Sequence, residues 1–79
     1  MKIEMNEMEQ FTSMMNWGIS NKMIVKFSVY CNSDTIFISS IDSNGKGDVK
    51  TIMGMGSTLT KAMISYTNER GKYVDFFSN

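Results

Sequence analysis

The sequence predicts an α+β fold, a three-stranded antiparallel meander flanked by an N-terminal and a C-terminal helix in the order αβββα. Three observations carry this expectation. Residues 22–31 alternate between apolar and polar with the period of two that a half-buried strand requires. Two clusters of turn-forming residues, Asn32-Ser33-Asp34 and Asp42-Ser43-Asn44-Gly45-Lys46-Gly47, divide the middle of the chain into three extended segments. Helix start signals stand before and after that block.

The first helix is announced by Asn6 followed three residues later by Glu9, the form of a capping box. Met8, Phe11 and Met15 then recur at the spacing of one helical face, with Met5 and Met14 beside it, and Gly18 is placed just past the end. An alternative for the first residues is a short strand through Met1, Ile3 and Met5. In the first extended segment, Met23, Val25, Phe27, Val29 and Cys31 fall on one face, and Ile24, Lys26, Ser28 and Tyr30 on the other. Thr35 to Ile41 is β-branched and aromatic enough to be its hairpin partner, and Asn44-Gly45 tolerates the positive φ of a second turn into Asp48 to Met53. Gly54-Met55-Gly56 is expected to break the sheet. Ser57 or Thr58 then caps a helix whose buried face is Leu59, Ala62, Met63 and Tyr66, with Arg70 in its last turn and Gly71 past its end. The tail Tyr73-Val74-Asp75-Phe76-Phe77 is too apolar for a solvated terminus and is expected either to pack back as an edge strand or to lie exposed for a partner.

Seventy-nine residues leave room for one domain, residues 1–79, with a small core. Cys31 is the only cysteine, so no internal disulfide can staple the chain, which points to a reducing compartment. Neither a signal peptide nor a membrane-length apolar run is visible, and a cytoplasmic protein is expected (a host's cytoplasm, should the gene be viral). Eight basic residues balance eight acidic ones, so no bulk charge draws the molecule to nucleic acid or membrane. The chain is rich in Phe, Tyr, Met, Ile, Asn and Lys and has no proline, a bias toward AT-rich codons common in phages and low-GC bacteria.

Catalytic and metal chemistry find little to use. Histidine is absent, which removes the usual general base near neutral pH and the commonest metal ligand, and with it serine triads and Cys-His dyads. A lone thiol without histidine forms none of the tetrahedral Cys and Cys/His zinc sites, and no Walker loop or dinucleotide-binding glycine pattern appears; Gly54-x-Gly56 reads as a tight strand-to-helix turn, with a phosphate cradle as the alternative. Glu4, Glu7 and Glu9 stand where a helix dipole favours negative charge, a structural role. The expectation is a protein that is not an enzyme and takes no cofactor.

The order of elements is similar to that of the double-stranded RNA-binding domain, and Gly54, Gly56, Thr58 and Ala62 match that family's Gly-x-Gly-x-Ser/Thr...Ala junction. The resemblance implies the same fold. Where that family sets consecutive lysines at the start of the second helix to grip phosphates, this chain has Leu59 and Thr60, with Lys61 one place later, so the family's RNA binding is not carried over. The stretch Gly56 to Ala62 is equally similar to the strand-turn-helix of small HicB-type antitoxins.

The function expected from these features is a small protein-binding modulator, for example a phage or mobile-element inhibitor of a host machine, an anti-defence or anti-CRISPR-like role. Ile24, Tyr30, Ile36 and Ile38 are assigned to a sheet face or edge left open to a protein partner, together with Phe76 and Phe77 of the tail. One alternative is a nucleic-acid binder using Lys22, Lys26, Lys46, Lys50 and Lys61. Another is a structural subunit that forms a homodimer.

Overall fold

The structure, a computed structural model, describes residues 6–78; the strand considered for Met1 to Met5 lies outside them. Helix α1 spans Glu7–Ser20, strands β1 Ile24–Asn32, β2 Thr35–Ser43 and β3 Val49–Gly56 follow, and then helix α2 Leu59–Gly71 and a short helix α3 Val74–Ser78. The three strands form one antiparallel sheet in the order β1-β2-β3, so the predicted αβββα arrangement stands.

The caps show why the helices begin where they do. Asn6 Oδ1 accepts the Glu9 backbone N–H at 2.8 Å, and its Nδ2 donates to Glu9 Oε1 at 3.0 Å. Thr58 caps α2, its hydroxyl accepting the Lys61 N–H at 3.2 Å. The helix ends depart from expectation. Gly18 lies inside α1, which runs on to Ser20, and Gly71 lies inside α2, which is capped by Lys72. Neither needs a left-handed conformation. At Gly18 the missing side chain instead admits the Phe27 ring, whose nearest carbons would lie 2.7 Å from an added Cβ.

A two-residue turn at Ser33-Asp34, with Ser33 at φ 57, sets the register of the first hairpin: Val29 faces Ile38, Phe27 faces Ser40 and Cys31 faces Ile36. On the other side of β2, Ile38 faces Gly54, Ser40 faces Ile52 and Asp42 faces Lys50. Paired residues share a face, so Phe27, Val29, Ile36, Ile38, Ser40, Asp42, Ile52, Gly54 and Gly56 all point toward the helices. The buried core is Met14, Ile38, Ile52, Leu59, Ala62 and Tyr66, with Phe27, Val29, Ile36, Met63, Tyr73 and Phe77 packed around it.

Gly54-Met55-Gly56 does not break the sheet. All three residues belong to β3, and α2 folds straight back across them. The glycines exist for that contact: a Cβ on Gly54 would lie 2.1 Å from the Tyr66 backbone nitrogen, and one on Gly56 2.5 Å from that of Ala62. The tail forms a helical turn rather than an edge strand. Its Phe77 and Tyr73 rest on the core, which puts the apolar tail under cover without strand pairing.

Helix α1 is rotated from its expected orientation. Met14 is buried, whereas Met8 is 72% exposed and Phe11 is also exposed. The reason is a competition between two apolar stripes on one helix. Phe27 seats against the flat surface offered by Gly18, which turns Met14 inward and leaves Met8, Met15 and Ile19 along the outer flank.

Candidate functional site

Two features of the folded chain hold enough chemistry to be considered as sites. The first is polar and internal. Asp42, read from sequence as a turn residue, lies within β2 and is fully buried. Arg70 reaches it from α2, its Nη2 donating to Asp42 Oδ2 at 2.8 Å and its Nε to the same oxygen at 3.1 Å. The other carboxylate oxygen accepts from the Ser40 hydroxyl, which in turn accepts from the Tyr66 hydroxyl at 2.5 Å. The guanidinium lies between two aromatic faces, 4.5 Å from the Phe77 ring centroid and 5.3 Å from that of Trp17. Among the described residues no buried side-chain polar atom lacks a hydrogen bond. The buried polar atoms of this network are therefore all partnered within the chain, and it ties β2, α2, α1 and the tail together. Its signal in the sequence was weak, because Asp42 stands beside turn residues and Arg70 where any helix end favours a cation.

Burial raises the Tyr66 phenol above its ordinary value of about 10, desolvation outweighing the opposing hydrogen bond shared with Ser40. A group whose value is raised by folding contributes stability that is fully present below its unfolded value and is lost as pH rises through the folded one. Urea midpoints should accordingly fall as pH is taken above about 10, and Tyr66→Phe should make that fall shallower. An unchanged slope in the Tyr66→Phe protein would place the alkaline sensitivity elsewhere.

The second feature is the face of the sheet that the helices leave open. Three rows cross it: Tyr30, Phe37 and Met55; Ser28, Ser39 and Met53; Lys26, Ile41 and Thr51. Tyr30 and Phe37 stack at 5.1 Å between centroids with 12° between their planes, and Tyr30 is 46% and Met55 53% exposed. Met53 and Val49 are exposed beside them, and Lys26 is the single charged side chain in those rows.

Of the residues assigned to this face from sequence, only Tyr30 is on it. Ile38 is completely buried and Ile36 packs against the core, because the two-residue turn sets them opposite Val29 and Cys31 on the helix side. Ile24 faces Asp42, also on the helix side, since an irregularity between Ile24 and Lys26 resets the alternation; the same bulge leaves Val25 67% exposed instead of buried. Phe77 packs on the core, and Phe76 lies edge-on to it. Cys31, placed by the alternation on one face with Phe27 and Val29, is exposed at the end of an edge strand. Sequence reasoning missed Phe37, Met53 and Met55, whose alternation became readable only with the register known.

Lys22, Lys26, Lys46 and Lys50 lie toward one end of the sheet, but they do not share a face. Lys26 is on the open face, Lys46 in the β2–β3 turn and Lys22 before β1. Lys50 is turned to the opposite side, its ammonium 4.5 Å from the Tyr73 ring centroid. Lys61 lies at the far end of β3 beside Gly56, its Nζ 3.4 Å from Ser57 Oγ.

Fold and surface thus define a small α+β protein with a partly apolar sheet face that its helices leave open. No helix among the described residues is long and apolar enough to cross a membrane. The chain matches no known family, no curated protein and no solved structure with which it was compared.

Proposed function

We propose that this domain is a non-enzymatic protein-binding module that docks an apolar surface of another protein on the open face of its sheet. The observation that supports this reading is the row Tyr30, Phe37 and Met55 with Met53 beside it, an apolar patch that the chain's own helices leave uncovered. Tyrosine at such a position is a frequent energetic anchor, and methionine adapts its shape to a partner. The Ser40–Asp42–Tyr66–Arg70 network favours the same reading, since the polar groups best suited to chemistry are committed to one another. Modulation of a larger machine, including the anti-defence role, is one form this binding can take.

Lysines that do not share a face neutralise few phosphates at once, and affinity for nucleic acid falls steeply with that number. The test separates the two partner classes. The tagged chain, Tyr30→Ala and Met55→Asp are each used to recover partners from extract with and without nuclease, and the recovered protein is then purified and its binding remeasured by calorimetry. Both side chains are exposed, so circular dichroism and melting should be close to those of the unsubstituted protein. Met55→Asp is expected to weaken binding of the purified partner at least about 100-fold, or roughly 3 kcal/mol, as for a hot-spot residue. Partner recovery that nuclease abolishes, or that both variants retain, would overturn the reading.

A further inference from the structure

Both outer strands of a three-stranded sheet present unpaired backbone groups, but here the two edges differ. On β3 the outward N–H of Met55 donates to Ser65 Oγ of α2 at 3.1 Å, so the helix that crosses this strand also caps its edge. On β1 no side chain among the described residues takes up a backbone group of Lys26 to Asn32. Natural edge strands are commonly blunted by charge, proline, a bulge or shortness. This one is nine residues long, contains no proline, and carries Lys26 as its single charge, beside a bulge that confines regular pairing to Lys26 onward.

Above that edge runs the outer flank of α1. Met8, Met15 and Ile19 share one side of the helix; Met15 and Ile19 line a groove with Ile24, Val25, Lys26 and Phe27, and Met8 lines another with Phe11, Val29, Tyr30, Cys31 and Ile36. Ile19 is 78% exposed although it is a large aliphatic residue. The site therefore has two levels, an open strand edge below and an apolar helix flank above, both about 30 Å or less in length. A lone peptide strand would satisfy only the lower level.

We propose that the occupant is a second copy of this chain, its β1 paired antiparallel to β1 across a two-fold axis. That arrangement matches each level with itself: strand edge meets strand edge, and the Met8, Met15 and Ile19 flank meets its own image, as an isologous interface requires. The charges agree with it, because Lys26 stands at the beginning of the regular stretch and an antiparallel partner carries its own Lys26 to the opposite end. The two sheets then join into one of six strands, and the two open faces become continuous. Tyr30 belongs both to this edge and to the partner face proposed above, whereas Ile19 and Met55 each belong to only one of the two surfaces.

Sedimentation equilibrium of the unsubstituted chain should give twice the monomer mass of 9.0 kDa at concentrations of tens of micromolar, typical of a specific homodimer. Ile19→Asp should raise the dimer dissociation constant on the order of 100-fold, since a symmetric interface carries each change twice and a carboxylate there loses its water. Met55→Asp should leave the dimer unchanged. Amide hydrogen exchange of the unsubstituted protein gives a second readout: in the dimer the outward N–H groups of Lys26 to Asn32 become as protected as those bonded to β2. A monomer throughout the concentration range, outward β1 amides that exchange freely in the dimer, or a dimer broken by Met55→Asp and not by Ile19→Asp would each overturn the proposal.

Discussion

Arg70→Ala is expected to destabilise the domain by about 3 to 5 kcal/mol, the range for removing one member of a buried ion pair. The cost arises less from the lost attraction than from what remains. Asp42 is fully buried on the central strand, and without the guanidinium its Oδ2 loses both of its hydrogen-bond donors. A core of this size supplies only about 3 to 5 kcal/mol in total, so the variant should be largely unfolded at 25 °C. Arg70→Lys should fall between the two proteins, because an ammonium can neither donate from two fixed nitrogens nor stack between Trp17 and Phe77 as a guanidinium plane does. The informative control is Asp42→Leu combined with Arg70→Met, which removes both charges and should recover much of the loss. Urea denaturation followed by circular dichroism measures all four proteins. A loss below about 1 kcal/mol for Arg70→Ala, the value of an exposed pair, would show that water reaches Asp42.

Gly54→Ala is expected to be about as damaging, by a steric route. Overpacking a core by one methyl group costs typically about 1 to 3 kcal/mol when side chains can yield. Here the atom that must yield is the backbone nitrogen of Tyr66, 2.1 Å from where the new carbon would sit, so the whole of α2 has to lift from β3. Lifting it withdraws Tyr66 from Ser40 and Arg70 from Asp42, and the loss should exceed about 3 kcal/mol, beyond the usual overpacking range. Gly71→Ala is the matched control. A Cβ there meets nothing within 4 Å, and alanine in a helix is favoured over glycine by roughly 0.5 to 1 kcal/mol, so that variant should be neutral or stabilised. Similar melting temperatures for Gly54→Ala and Gly71→Ala would mean that α2 does not rest on β3 as described.

How far the site was legible in sequence depends on how local its determinants are. Asn6 with Glu9, Thr58 with Lys61, and the Asn44-Gly45 turn act within a few residues of themselves, and each was readable because its partners are already adjacent in the chain. The strand alternation was readable too, up to the bulge before Lys26. Which face of β2 enters the core was not, since its helix side carries Ile36, Ile38, Ser40 and Asp42 while its open side carries Phe37 and Ile41. Neither set is plainly more apolar. The choice is made by the two-residue turn, which fixes the pairing and with it every side chain downstream.

The sequence by itself determined the order αβββα, the placement of both caps, the apolar face of α2 and the presence of more apolar surface than one small core can bury. These follow from propensity, spacing and composition, which act along the chain. Only the tertiary structure decided that Gly54 and Gly56 are contact points for a helix, that Asp42 and Arg70 find each other 28 residues apart, that Met14 rather than Met8 turns inward, and that Phe37, Met53 and Met55 join Tyr30 on the open face. Each of these is a choice between alternatives of nearly equal local energy, and such choices are settled by which packing leaves no buried charge unpaired and no backbone in collision.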